Sequence, residues 1–244
     1  ELHTGYGYNV RSQIKYITSD FFNQTLYYND SRPGGTNVSC YNGNISGVDW
    51  KINTYWDNKQ RSYNFTYDEL SRLIGADYLE GNVLNDKFST SYSYDKHGNM
   101  LSIRRHGNIG TTTYGVVDDL ALSYDGNQLV NVEDKGTIPS LSMSMDFKDG
   151  SRELVEYSYD ANGNQTQDLN KGISKFEYNV LNLPKLITSN GIKKSVIEYT
   201  YSATGVKLST YKDYYSKFTD YMGNMIYENG SLKRILIDGG YIEN

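Results

Sequence analysis

Few residues in this 244-residue chain are of types that do chemistry on their own. His3, His97 and His106 are the only histidines and Cys40 the only cysteine. A lone cysteine excludes an intramolecular disulfide and a cysteine-based zinc site. His97 and His106 lie too far apart for a short metal motif, and His97 sits in a turn-like stretch. The run Asp160-Ala161-Asn162-Gly163-Asn164 begins like a calcium loop, with oxygens at positions 1, 3 and 5. Its glycine falls at position 4 rather than 6, and position 12 is Lys171 instead of Glu. Turn chemistry explains it better. Gly239-Gly240 is followed by no Lys-Ser/Thr, so it is no phosphate loop. Carboxylates such as Asp118 and Asp119 are plentiful, but no apolar context marks any pair for acid–base work. The expectation is a protein without catalytic residues, metal or cofactor.

The composition supports that reading. Hydrophobic residues make up 37%, against the usual 45–50% or so. The chain has 25 Tyr beside 7 Phe and 2 Trp, with 23 Gly and 24 Asn. It is too aromatic to be disordered. No apolar run is long enough for a membrane-spanning helix. A net charge of −5 argues against a nucleic-acid partner, which would require a basic stripe.

The tyrosines fall in a repeated unit. Tyr92-Ser93-Tyr94-Asp95-Lys96-His97-Gly98-Asn99 returns as Tyr157-Ser158-Tyr159-Asp160-Ala161-Asn162-Gly163-Asn164. Looser copies end in Tyr67-Asp68, Tyr178-Asn179 and Tyr201 with Gly205. Tyr124-Asp125-Gly126-Asn127 is the same unit with two turn residues deleted. Shorter echoes lie at Tyr8-Asn9, at Tyr41-Asn42-Gly43-Asn44 and at Tyr221-Met222-Gly223-Asn224. From Tyr67 onward the second tyrosine recurs at intervals of 19 to 35 residues.

Each unit reads as a β-hairpin. The paired tyrosines share one strand face, the Asp accepts from backbone N–H groups ahead of it, and the Gly supplies positive φ. A second glycine, Gly107, Gly136, Gly172 or Gly191, is expected to close the unit. Thr66 to Gly75 has some amphipathic helix character, but its alignment with the repeat favours strand-turn-strand. Gly34-Gly35 after Pro33, and residues 132–145 around Pro139, read as loops or insertions. The expected fold is all-β: an extended, curled antiparallel sheet of successive hairpins, one domain over 1–244. A soft seam near 80–87 separates irregular copies (1–80) from regular ones (88–244).

These residues resemble the YD repeats of the bacterial RHS family, found also in insecticidal toxin-complex subunits and teneurins. Tyr-Asp-x-x-Gly-Asn is the namesake pattern, and Tyr67 to Leu73 resembles its sister form with Ser71 for Gly. Phe218 to Ile242, with Tyr221, Gly223 and Asn224, is similar to the stretch leading into the RHS-associated core domain. The resemblance implies a secreted or cell-surface scaffold, a segment of a β-shell enclosing a C-terminal toxin that lies outside this sequence. Its partners would be the chain's own downstream core and toxin domains. An alternative is a module binding carbohydrate or a cell-surface partner on a tyrosine-lined face, since each ring offers an apolar plate and a hydroxyl. Packing of the tyrosines as cross-strand ladders is the favoured reading. Exposed strand edges would also allow an edge-strand dimer.

Overall fold

The computed structural model describes residues 3–34, 36–136, 146–191 and 194–243. Its regular structure is antiparallel strand, plus one three-residue 3-10 turn at Asp213–Tyr215. The first sheet contains β1 (Thr4–Tyr8), β2 (Ile14–Ser19), β3 (Phe22–Tyr27), β4 (Gly47–Ile52), β5 (Gln60–Tyr67) and β6 (Leu73–Glu80). It continues through β7 (Val83–Leu84), β8 (Thr90–Tyr94), β9 (Met100–Asn108), β10 (Tyr114–Asp125) and β11 (Gln128–Asp134). The second contains β12 (Tyr157–Tyr159), β13 (Gln165–Asp168), β14 (Ile173–Tyr178), β15 (Pro184–Ser189) and β16 (Ser195–Tyr201). It ends with β17 (Lys207–Lys212), β18 (Lys217–Met222), β19 (Met225–Glu228), β20 (Ser231–Ile237) and β21 (Gly240–Glu243).

Within each sheet strands pair with their sequence neighbours, except that β8 pairs with β6 rather than with the short β7. Such a meander follows from short turns, which place consecutive strands side by side. The chain divides into two compact units, residues 1–122 with 134–147 and residues 123–133 with 148–244. Residues 80–87 fall inside the first unit, around the β6–β7 turn.

Within unit 1, register assigns the two faces of the central strands opposite chemistry. Val48, Trp50, Arg61, Tyr63, Phe65, Ala76 and Tyr78 share one face. Trp50 stacks on Tyr63 (5.6 Å between centroids), Tyr63 meets Phe65 (5.9 Å) and Tyr78 (5.4 Å), and Tyr78 meets Phe88 edge-on (5.1 Å). Offset and edge-on rings bury area and add cross-strand attraction. Tyr78 is only 2% exposed, so a tyrosine stands where other sheets place leucine.

Three loop expectations change. Gly107 does not close a unit. It lies within β9 opposite Gly115, and the connection comes at residues 109–113. Val132 is 3% exposed in β11, so strand extends to Asp134 inside the supposed insertion. Residues 137–145 of that stretch lie outside the described residues. Asn42, Gly43 and Asn44 form an irregular bend between β3 and β4, with the Asn44 N–H donating to Asn42 Oδ1 (3.1 Å), and no hairpin.

Candidate functional site: a row of tyrosine-anchored turns

Six turns, opening at Asn9, Asp68, Asp95, Asp160, Asn179 and Ser202, share one hydrogen-bond pattern. The opening residue's N–H donates to the carbonyl four residues on, at 2.8 to 3.0 Å. Its own carbonyl accepts from the N–H three residues on, at 2.9 to 3.3 Å. Its side-chain oxygen accepts from the N–H groups two and four residues ahead. At Asp95 these are His97 (2.8 Å) and Asn99 (2.9 Å), and at Asp160 they are Asn162 and Asn164 (both 2.9 Å). The same two bonds recur at Asp68, Asn179 and Ser202. A side-chain oxygen thus does the work of a backbone acceptor, as in an Asx turn.

The fourth residue of each turn is left-handed: Ser12 (φ 60°), Ser71 (63°), Gly98 (95°), Gly163 (82°), Asn182 (56°) and Gly205 (85°). Gly98 and Gly163 adopt it without Cβ crowding. The tyrosine before each opening residue, Tyr8, Tyr67, Tyr94, Tyr159, Tyr178 or Tyr201, sits where the strand register shifts by one.

The full motif adds a side-chain clasp. Asn99 and Asn164 donate their amides to the second oxygens of Asp95 (2.8 Å) and Asp160 (2.9 Å). At Asp68 the clasp is Arg72 Nε at 2.6 Å. The Asn164 amide, followed by the turn N–H groups, holds the Asp160 carboxyl below its ordinary range, and Arg72 does the same for Asp68. At Asp95 burial pushes the pKa upward, and the bonds from Asn99, His97 and Gly98 outweigh it.

Tyr124-Asp125-Gly126-Asn127 and Tyr221-Met222-Gly223-Asn224 turn differently. Asp125 and Met222 remain in strand, and Gly126 (φ 61°) and Gly223 (φ 65°) open two-residue turns completed by Asn127 and Asn224. A glycine of positive φ at the first position matches right-handed strand twist.

Several tyrosine hydroxyls fasten neighbouring backbone, a role that the sequence analysis did not assign them. Tyr94 Oη donates to the Leu73 carbonyl (2.9 Å), Tyr178 Oη to Gln165 (2.7 Å) and Tyr28 Oη to Ile14 (2.9 Å). Each acceptor is five residues past the opening residue of the preceding turn. Tyr67 Oη similarly reaches the Ile45 carbonyl (2.8 Å). Arg72 strengthens one link, donating to the Asp95 carbonyl (2.8 Å) and stacking over the Tyr94 ring at 4.8 Å. The Asp68 and Asp95 turns, and the Asp160 and Asn179 turns, are therefore laced to one another, and these hydroxyls are engaged rather than presented.

No family model matches this sequence, and no curated protein matches it. The fold, however, has relatives. It is shared with Tc toxin structures. The Photorhabdus luminescens Tc holotoxin pore aligns over 96% of this chain and 12% of its own, with a TM-score of 0.51 and 14% identity. The TcdB2-TccC3-TEV crystal structure aligns over 96% of this chain and 13% of its own, with a TM-score of 0.53 and 14% identity. This chain thus spans about an eighth of the chains it matches. Identity at this level speaks for fold alone.

Two buried carboxylate centres escaped the sequence. In unit 1, Asp118 is fully buried and ion-paired with Arg105, and it accepts the Phe147 N–H at 2.8 Å. Carboxylate oxygens of Asp118, Asp134 and Asp146 lie within 4.8 Å of one another. Asp134 Oδ1 already accepts from the N–H groups of Asp119 (3.1 Å) and Gly136 (2.8 Å). These bonds make the cluster a backbone clamp, and Arg105 balances one of its three carboxylates. In unit 2, Glu156 is 1% exposed and accepts from the Val132 N–H (2.9 Å) and the Asn170 amide (2.8 Å). Both carboxylates receive N–H groups from segments distant in sequence, so neither has a local signature. His97 projects into solvent from its turn, its side chain 73% exposed.

Proposed function

We propose that this chain is a wall segment of an RHS-type shell, a structural element without chemistry of its own. The observation that carries this is the lacing of successive turns through tyrosine hydroxyls. At Tyr94 and Tyr178 it makes one hairpin the support of the next, as a continuous wall requires. The fold likeness to Tc toxin structures supports the same reading. In such a protein the segment would face a downstream core and a toxin cargo, outside the cell or at its surface. Among the described residues no helix is long and apolar enough to cross a membrane, which leaves β-barrel crossing untouched.

The decisive experiment is an electron cryomicroscopy structure of the natural full-length protein. The proposal expects these strands to continue into a closed shell with density enclosed. Strands ending in a free-standing module, with solvent on both sheet faces, would overturn it. Engaged hydroxyls on Tyr67, Tyr94 and Tyr178 weigh against a tyrosine-faced sugar platform, so that second reading is not carried forward.

A further inference from the structure

The connection between β4 and β5 carries two aromatic rings that the fold leaves outside. Tyr55 and Trp56 are each 91% exposed, and their rings meet edge-on with 5.0 Å between centroids. Neither the Tyr55 hydroxyl nor the Trp56 indole N–H makes a hydrogen bond among the described residues. The same end of the sheet adds Ile52, 36% exposed, and Phe21 of the β2–β3 turn, 56% exposed. The Asn53 N–H joins the two connections by donating to the Phe21 carbonyl (2.8 Å). Single exposed apolar residues are ordinary, but a cluster that includes a whole tryptophan marks an interaction surface.

The tip is held in place by its own turn. The Thr54 N–H donates to the Asp57 carbonyl (3.1 Å), and the Asp57 N–H donates to Thr54 Oγ1 (3.0 Å). The Asp57 carboxylate then accepts from Arg61 Nη2 (2.9 Å), which fastens the turn to β5. Little ordering is left for a partner to impose. The surrounding charge is positive. Arg61 matches Asp57 and Lys87 matches Glu80, which leaves Lys51 and Lys59 against Asp20. Neither lysine has an ion pair among the described residues. This local excess stands on a chain whose net charge is −5.

We infer that this tip docks on an anionic lipid surface, with Tyr55 and Trp56 seated among the headgroups. Tryptophan and tyrosine collect at membrane–water interfaces because each joins an apolar body to a polar tip. The Tyr55 hydroxyl and the Trp56 N–H meet headgroup oxygens, and Lys51 and Lys59 meet the negative surface potential. The size of the tip suits a lipid surface better than a protein. Two rings bury roughly 300–500 Å², whereas a standard protein interface takes about 800 Å² from each partner. Attachment through so small an apolar tip is weak and reversible, and it lies in the interface without crossing the bilayer. The inference concerns one connection of unit 1 and does not rest on the wall role.

The test is co-sedimentation of the full chain with vesicles of phosphatidylcholine, alone or with about 30 mol% phosphatidylserine. Quenching of tryptophan emission by bromine-labelled lipid reports which residue enters. Binding is expected on the anionic vesicles and at least about fivefold weaker on the neutral ones. Trp56→Ala should weaken it about tenfold and remove the lipid quenching, because Trp50 lies in the aromatic ladder. Its thermal midpoint should stay that of the parent, since the ring already lies in water. Lys51→Gln combined with Lys59→Gln should weaken binding more on anionic than on neutral vesicles. Absence of binding to the anionic vesicles overturns the inference, as does Trp56→Ala binding like the parent. Self-association that Trp56→Ala abolishes, without vesicle binding, overturns it equally and gives the tip to a second copy of the chain.

Discussion

Arg32→Met tests whether unit 1 is held by a buried polar anchor or by its aromatic face alone. The guanidinium donates to Asn64 Oδ1 (3.2 Å), Ser62 Oγ (3.0 Å), Asp49 Oδ1 (3.1 Å) and Asn82 Oδ1 (3.4 Å). The Arg32 N–H donates to Asn37 Oδ1 (2.8 Å), and Asn37 in turn donates to Ser46 Oγ (2.8 Å), so the anchor organises the whole β3–β4 connection. Removing one partner of a buried ion pair costs about 3–5 kcal/mol, mostly from the charge left behind. The Asp49 side chain is 15% exposed and keeps the Tyr27 hydroxyl at 3.1 Å, so some charge is compensated and the lower half of that range applies. We expect a loss of about 3–4 kcal/mol, or a fall in Tm of roughly 6–16 °C for a unit of this size. Urea denaturation followed by tryptophan fluorescence reads it, since Trp50 lies in β4 beside Asp49. The double variant Arg32→Met with Asp49→Leu removes both charges and should recover more than half of the loss. A single variant within about 1 kcal/mol of the parent, or a double variant worse than the single, would refute the anchor.

Five further outcomes follow, four from the turns and their clasps and one from a buried tyrosine. Gly98→Ala should cost about 1–2 kcal/mol from the left-handed backbone alone, because a Cβ there meets no atom within 4 Å. Ser71→Gly, at the equivalent position, should be neutral or stabilising by up to about 1 kcal/mol; both are read from denaturation midpoints. Tyr94→Phe should lose about 1 kcal/mol by releasing the Leu73 carbonyl, and an unchanged thermal midpoint would remove that link. The lowered pKa values of Asp68, Asp95 and Asp160 mean that their stabilisation is present above the unfolded carboxylate range near pH 4. It is lost as pH falls through the folded values, so acid titration of Asp160→Asn should show a shallower decline than the parent. At the other extreme, burial and then Asp49 push Tyr27 up to about 12, so its contribution is full below about pH 10 and fades as pH rises to about 12. Tyr27→Phe should flatten that alkaline decline in a pH series of denaturation midpoints.

How far the sequence reveals this architecture depends on the range of each interaction. Every bond defining the repeated turn closes within five residues, so its residue types leave a local imprint. The two full copies stood out for that reason. Degenerate copies were harder, because the opening position needs only a side-chain oxygen and the fourth position only tolerance of positive φ. Asn9 with Ser12, and Ser202 with Gly205, satisfy both. Glycine alone misled at Gly107, where it marks close packing against Val117 within a strand rather than a turn. The hydroxyl links were illegible because their acceptors lie 13 to 22 residues away, and any carbonyl serves. Arg32 was less legible still: its partners come from β4, β5 and a turn 50 residues on, and its own segment is irregular.

The surplus of tyrosine follows from what a sheet built of hairpins must supply. Among the described residues the buried hydrophobic ones are four tyrosines, Tyr27, Tyr28, Tyr78 and Tyr157, and five aliphatic residues, Val48, Ala76, Leu79, Leu120 and Val132. A meander in which each strand touches only its neighbours has no deep common core, so each hairpin must bring its own cohesion. Tyrosine does this twice, because its ring buries area on the sheet face while its hydroxyl fastens the preceding turn. Phenylalanine would give the first without the second, and serine the second without the first. Cohesion arranged this way is additive along the chain. Breaking the link from Tyr178 to Gln165 should loosen the Asp160 turn and leave the Asp68 turn, in the other unit, untouched. Hydrogen exchange at the Asn162 and Asn164 N–H groups, set against Leu70 and Arg72, makes that separation measurable. Loss of protection at both turns in Tyr178→Phe would mean that the chain opens as one cooperative body rather than hairpin by hairpin.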